Sequence, residues 1–321
     1  MPRSITSAFD EREDFEAALR AGCRGLVVTG RGQFRAQLTL VTLHRLRLSA
    51  VEELLSRIAF VSVPAGMLIA TFLIGDGACP VRGGVRARRG EILILPPGER
   101  LHVQTDGRHR WGSIWIPVED LVEYGGALTG TAFTVPPVVR RWYPPASAGR
   151  HLRSLHAAVV RMVARRPGLI VDARAAHGLE QQLIHALVEC LSAGSGDQST
   201  PIERQHQDIM VRFERLIQAQ PDRDLSTAEI CAALDVSERL LRRVCAQHLG
   251  MGPIAYDHLR RMSLVRRTLR RSDGGEASVC AVALRYGFRT LGRFTVNYRA
   301  VFGESPHTTL RRAQDRSMIG S

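Results

Sequence analysis

The chain has 321 residues and a net charge of +13, from 44 basic side chains, all of them Arg, against 31 acidic ones. Apolar residues make up 45% and charged residues 23%, which is ordinary for a folded protein and excludes wholesale disorder, collagen-like repeats and coiled-coil arrays. The cysteines Cys23, Cys79, Cys190, Cys231, Cys245 and Cys280 show no C-x-x-C and no tight spacing, so neither a disulfide framework nor a zinc knuckle is indicated and a reducing cytoplasm suits them. The length suits roughly two domains.

At the N-terminus Asp10-Glu11-Arg12-Glu13-Asp14 follows a short polar stretch with no apolar core, so no signal peptide is read. Phe34, Ala36, Leu38 and Leu40 then alternate with polar residues. Ile58 to Gly75 lacks charge and is nearly long enough to cross a bilayer, but Pro64-Ala65-Gly66 cuts it in the middle. Its short halves, rich in Ile, Val and Phe, suit two buried strands joined by a turn, so no membrane association is expected. Further apolar runs at Glu91–Leu95 and Trp111–Ile116, with turn signals at Gly75-Asp76-Gly77, Gly83-Gly84, Pro96-Pro97-Gly98 and Asp106-Gly107, predict a small β-sandwich or barrel over the first 145 residues.

From Ser147 to Ser192 the period becomes helical. Leu152, Leu155, Val159, Met162 and Val163 form one stripe, and Leu179, Leu183, Leu187, Val188 and Leu191 another. These stripes suit either a homodimer interface or packing on the sheets. Residues 193–201 have the composition of a flexible linker. This divides the chain into a sensor or dimerisation domain at 1–195, β-rich to about 145 and helical over 147–192, and a helical domain at 202–321.

Charge is concentrated in the tail. Between Ser237 and Arg312 there are 15 Arg against Glu238, Asp257, Asp273, Glu276 and Glu304, an excess of +10. The same segment contains a weak internal repeat. Leu241, Cys245, Gly250 and Pro253 recur at identical offsets as Phe294, Tyr298, Gly303 and Pro306. Each copy follows a short helix and a tight turn. Ser226-Thr227-Ala228-Glu229 has the capping-box form, Asp235 tolerates the left-handed turn and Ser237 caps the next helix. In the second copy Val279, Val282 and Ala283 form the packing face, Gly287 serves the turn and Thr290 caps. This predicts two helix-turn-helix units, at about 226–248 and 279–302.

In the order and spacing of Ser237, Leu241, Arg243, Gly250, Pro253, Tyr256, Arg261, Ala283, Gly287-Phe288, Phe294, Phe302, Gly303 and Pro306, residues 225–311 resemble the DNA-binding domain of AraC/XylS-type transcriptional regulators. Departures occur at Cys231, Cys245 and Thr309, where the family has Ala, Phe and an aromatic residue; these are packing changes. The resemblance implies two helix-turn-helix units joined by a long central helix, behind a β-rich domain that commonly binds an effector or dimerises. The expected fold class is therefore α+β, with a cupin-like N-terminal barrel or sandwich, following helices and an all-α C-terminal domain. The cupin likeness rests on the segment Gly90–Gly98.

Spacing supports duplex DNA as a partner independently. Arg239, Arg242, Arg243 and Ala246 share one helical face, away from Leu241, Val244, Cys245 and His248. Arg grips guanine or phosphate with two hydrogen bonds, so this face suits a major groove. The second recognition helix offers Gly292, Arg293, Thr295 and Val296 to bases. Phosphate contacts are expected from Ser237, Arg289, Thr290 and Arg299. Arg260, Arg261, Arg266, Arg267, Arg270 and Arg271 in the joining segment suit phosphate contacts or ion pairs between helices.

The effector, if one exists, is a small molecule, and the candidate residues are Trp111 and Trp115, whose even spacing suits core packing or a stacking wall. His102 and His109 could meet across a hairpin at Asp106-Gly107, but surface or hydrogen-bonded histidines are the preferred reading, and no metal or cofactor is expected. Cys231, Cys245 and Cys280 fall on apolar helix faces, which suits core packing rather than thiol sensing. No Walker loop, G-x-S-x-G, H-E-x-x-H or paired carboxylates at a motif spacing occur. A regulator rather than an enzyme is expected, with RNA polymerase a further partner if it activates. The alternatives are a ligand-independent regulator and a cupin-type enzyme with a DNA-binding tail.

Overall fold

The computed structural model describes residues 2–166, 172–272 and 278–319, leaving Asp273 and Glu276 of the charge count outside the described residues. The N-terminal part is sheet-rich. Its eight-stranded antiparallel sheet runs in the order β1 (Arg3–Phe9), β3 (Ala36–Thr42), β4 (Arg47–Glu53), β11 (His109–Pro117), β6 (Met67–Leu73), β9 (Ile92–Leu95), β12 (Arg140–Tyr143) and β13 (Ser195–Gln198). The second sheet has five strands, in the order β2 (Cys23–Val28), β5 (Arg57–Ser62), β10 (Arg100–Thr105), β7 (Val81–Arg82) and β8 (Val85–Arg86). Each order runs between two end strands, so the sheets are open and do not form a closed barrel.

The uncharged run at 58–75 divides at Gly66, which takes φ 74°, into β5 in one sheet and β6 in the other. Its apolar length comes from burial on both faces. Ile58 of β5 packs toward the C-terminal helices, while Ala59 packs toward the space between the sheets. Among the described residues no helix is long and apolar enough to cross a membrane.

Three helices, α2 (Val118–Thr129), α3 (Ala146–Arg165) and α4 (Ala173–Ala193), cover the outer face of the large sheet. The stripe residues Leu152, Val159, Val163, Leu183, Leu187 and Val188 are buried there with Leu48, Phe72 and Ile114. Those stripes are therefore satisfied within the chain, and a dimer would have to use other surfaces. A short helix α1 (Arg12–Ala18), unannounced in the sequence, lies over β1 and β2 and buries Phe15 among Phe34, Ala36 and Leu38.

Residues 195–198 differ from the expected flexible linker by pairing with β12 in antiparallel register. The glycines serve close packing. A Cβ on Gly194 would lie 2.2 Å from the Trp142 ring, and one on Gly196 2.4 Å from it. Thr200 then closes a capping box with Glu203 and starts α5 (Pro201–Ala219) without slack.

The C-terminal part is helical: α6 (Thr227–Leu234), α7 (Glu238–Leu249), α8 (Pro253–Arg270), α9 (Val279–Arg285), α10 (Leu291–Phe302) and α11 (Pro306–Ile319). Two cores form here. Ile209, Phe213, Ile230, Leu241 and Val244 fill the first, which reaches Val27 and Ile58 of the smaller sheet, and Val265, Val279, Ala283, Phe294 and Tyr298 fill the second.

Candidate nucleic-acid interface and inter-sheet cavity

In the first helix-turn-helix unit, Ser226 and Glu229 satisfy each other's backbone N–H groups at the start of α6. Asp235 ends the helix at φ 53°, the sole non-glycine with positive φ among the described residues. The Ser237 hydroxyl accepts from the Leu240 N–H at 3.3 Å and opens α7. Leu241, Val244, Cys245 and His248 are buried, and Arg239, Arg242, Arg243 and Ala246 are exposed, as their spacing requires. The Glu238 carboxylate accepts from Arg242 Nε at 2.7 Å, so it orients one of these guanidiniums; the i,i+4 spacing was the signal for this partner.

The second unit repeats the frame with weaker chemistry. Gly287 turns at φ 78° and Gly303 closes α10 at φ 74°. Gly292, Arg293, Val296 and Arg299 are exposed on α10, as are Arg289 and Thr290 before it. Thr290 holds the N-cap position, but its side chain makes no cap hydrogen bond, because the backbone there (φ −100°, ψ 88°) departs from the extended cap geometry of Ser237. Thr295 is half-buried and its hydroxyl donates to the Leu291 carbonyl at 3.0 Å, which leaves it only acceptor capacity toward a base. Cys280, expected on an apolar face, is exposed; Val279, Val282 and Ala283 form the face without it.

The arginines of α8 belong to the protein interior. Arg261 Nε donates to Asp257 at 2.8 Å and its Nη2 to Asp224 at 2.5 Å, and the group lies over Phe288. Arg260 donates to the Ile217 carbonyl. Arg266 donates to both Glu13 oxygens at 2.8 and 2.7 Å, to Glu11 at 3.0 Å and to Glu304 at 3.2 Å. Arg267 pairs with Glu16, and Arg270 with Glu11, Glu13 and Asp14. The acidic run at the N-terminus thus clamps the end of α8 beside the second unit. Arg12 stacks over Phe302 as well. Of the six joining arginines, Arg271 alone is exposed.

The first unit meets the sheets through hydrogen bonds. His102 of β10 shares Nε2 with Glu214 Oε2 at 3.0 Å, and the Tyr256 hydroxyl donates to the same oxygen at 3.0 Å. Burial pushes the Glu214 carboxyl up, but His102, Arg260 and Gln218 outweigh it and hold the group below its usual range. Gln247 of α7 donates to the Gly84 carbonyl at 3.1 Å. His102 and His109 do not meet across a hairpin, since β10 and β11 belong to different sheets; both are buried, and neither is on the surface. Among the described residues no group of His, Cys, Asp and Glu could hold a metal ion.

Between the two sheets lies a cavity of about 130 Å³, and Trp111 and Trp115 both line it. The Trp111 indole donates to Glu53 at 3.0 Å and the Trp115 indole to Ser113 at 2.8 Å, so each ring is fixed in place. Gly22 makes this arrangement possible, because a Cβ there would lie 2.3 Å from the Trp115 ring. Arg47, Arg57, Arg82 and His109 also line the cavity. Even spacing along β11 pointed to the two rings; nothing in the sequence pointed to Arg82, which sits beside the Gly83-Gly84 turn.

A family model described as a helix-turn-helix domain matches residues 230–312. The chain is 34% identical over 105 residues to the XylDLEGF operon transcriptional activator of Pseudomonas putida, covering 32% of this chain and 33% of that one. It is 33% identical over 95 residues to a probable thc operon regulatory protein of Rhodococcus erythropolis, covering 30% and 29%. The chain thus spans about a third of the length of these curated relatives. Among solved structures, a probable AraC family transcriptional regulator from Rhodopseudomonas palustris is 31% identical over 33% of this chain and 98% of its own, with a TM-score of 0.31. The AraC-like transcriptional activator CuxR matches 88% of this chain and 99% of its own at 14% identity, with a TM-score of 0.44.

Proposed function

The chain carries a C-terminal helix-turn-helix domain of the AraC/XylS type, and from that premise we propose that it is a sequence-specific, duplex-DNA-binding transcriptional regulator whose N-terminal domain binds a small-molecule effector. The observation that carries the reading is the exposed face of Arg239, Arg242 and Arg243 on a helix whose other face is buried in a helix-turn-helix core. Guanidinium forks on a rigid helix match base edges in a major groove. Arg239, Arg242 and Arg243 read bases in the first unit, and Gly292, Arg293, Thr295 and Val296 approach them in the second. Ser237, Arg289, Thr290 and Arg299 hold phosphates.

The two-sheet unit to residue 195 acts as a cupin-like sensor, and the helices from 202 onward as the DNA reader. The protein works in the cytoplasm as a regulator and not as an enzyme. RNA polymerase is its partner if it activates, and a homodimer would use faces other than the buried helical stripes. The test is binding of the full chain to duplex fragments from its own promoter region across a salt series. Specific binding with a steep negative slope of affinity on salt is expected, as counterions leave the phosphates. Binding without salt dependence, or equal affinity for all fragments, would remove the reading.

A further inference from the structure

We propose that the inter-sheet cavity binds a small organic anion with an apolar body, held by its charged end on Arg82, and that the β7–β8 hairpin passes occupancy on to the first recognition helix. This rests on the effector-binding reading above and adds the charge of the ligand and the route of the signal.

The residues lining the cavity include Arg47, Arg57 and Arg82 and no acidic residue. Arg57 is committed, since its Nε and Nη2 donate to both Glu53 oxygens at 2.7 and 2.9 Å. Arg82 is held more loosely: its side chain is only 5% exposed and Nη1 forms an ion pair with Glu91 Oε1 at 3.7 Å, but that nitrogen makes no hydrogen bond. A buried donor left in this state costs the full desolvation of the group. Burial pulls the Arg82 pKa down to about 10, which still leaves it charged at neutral pH. A carboxylate or similar anion would accept from its fork in the two-bond geometry that guanidinium favours. His109 adds a second buried ring nitrogen without a partner, Nδ1.

The remaining wall selects the body of the ligand. Ala59, Val61, Ile69, Leu93 and Leu95 line it, with the two tryptophan rings. An apolar cavity of roughly 150 Å³ holds a benzene ring, so the present volume of about 130 Å³ suits one small ring or a short alkyl chain.

Arg82 is also the last residue of β7, and Gly83 and Gly84 turn the hairpin at φ 56° and 80°. The Gly84 carbonyl accepts from Gln247 at 3.1 Å. A Cβ on Gly84 would lie 2.5 Å from His248 Nε2. Gln247 and His248 belong to the last turn of α7, the helix that presents Arg239, Arg242 and Arg243. A movement of Arg82 toward an anion therefore meets α7 with no intervening gap.

The experiment titrates the full-length protein with phenylacetate, hexanoate and the neutral phenylacetamide, following tryptophan fluorescence, melting temperature and affinity for a promoter fragment. Both carboxylates are expected to saturate, and phenylacetamide to bind about tenfold more weakly or worse. Arg82→Gln should bring phenylacetate down to the level of the amide. Gln247→Ala should keep phenylacetate affinity while losing its effect on DNA binding. An amide that binds as well as the acid overturns the anion assignment and leaves the cavity as an effector site. A ligand effect on DNA that survives in Gln247→Ala overturns the route. Absence of a saturable response to either carboxylate at millimolar concentration overturns the proposal as a whole. If Ala59→Leu, which fills the cavity, then raises the melting temperature, the void is unfilled packing and the effector reading falls with it.

Discussion

The two helix-turn-helix units share a frame and differ in how they are joined to the rest of the chain. The first packs its core onto the smaller sheet and adds a buried hydrogen bond through Glu214 and an exposed one through Gln247. The second is reached by charge, with Arg266 and Arg270 surrounded by Glu11, Glu13, Asp14 and Glu304. The exposed faces of α7 and α10 differ as well. Arginines dominate α7, whereas α10 presents Gly292 and a Val296 that is 69% exposed. On the function proposed above, one unit reads bases from a fixed position and the other adds backbone contacts from an attachment that ions can loosen.

The largest test of that contrast removes Arg266. Three carboxylates would lose their shared partner, and breaking a buried charge pair from one side costs about 3–5 kcal/mol. Hydrogen exchange in Arg266→Ala should speed up across α9 and α10 while α6 and α7 keep their protection. Uniform loss of protection over both units would show that they are not attached separately.

Acid should expose the first unit. Burial, together with His102 and His206, lowers His248 from 6.5 to about 3. The unfolded chain takes up this proton near pH 6.5 and the folded chain only near pH 3, so stability falls as pH drops through that window, by about 1.4 kcal/mol per pH unit for one group. His109 and His156, lowered to about 4 chiefly by burial, act in the same direction. Urea unfolding of His248→Leu between pH 7 and pH 4 should show a pH slope shallower by nearly one proton; an unchanged slope would mean that His248 is protonated in the native protein.

A smaller effect separates base reading from backbone holding. A bidentate arginine contact discriminates by about 1–3 kcal/mol. In binding-site selection at one salt concentration, Arg243→Ala should relax preference at one or two base pairs, and Arg299→Ala should weaken all sequences alike. A sharper loss of preference from Arg299→Ala would reverse the roles of the units.

The finest distinction is at the caps. Ser237 accepts a backbone N–H and Thr290 does not, so Ser237→Ala should cost about 1 kcal/mol and Thr290→Ala nearly nothing. Thermal unfolding of the two variants makes the comparison, and equal losses would show that the caps are equivalent in solution.

What could be read beforehand follows the range of the forces. The repeat, the left-handed Asp235 and the Ser226 capping box are local, each fixed by a few neighbouring residues, and the double helix-turn-helix was legible from them. The places of Arg266, Arg267 and Arg270 were not legible, because their acidic partners in the N-terminal run lie some 250 residues away with no periodic signal. The turn at Asp106-Gly107 left open whether His102 and His109 meet; they do not, because a turn signal fixes a reversal of the chain and does not say whether the next strand stays in the same sheet. Glycine at 194 and 196 misled in another way. Composition suggests freedom there, whereas the absent side chains make room for Trp142.

That last strand has a practical consequence for dissecting the protein. A sensor fragment ended at residue 193, the natural place by composition, would strip β12 of the partner that covers its outer edge. The bared strand Arg140–Tyr143 would offer unpaired amides and carbonyls to any neighbouring chain, the usual route to edge-to-edge aggregation. Fragments cut after Gln198 keep that edge covered, and expression yields of the sensor half should turn on those five residues.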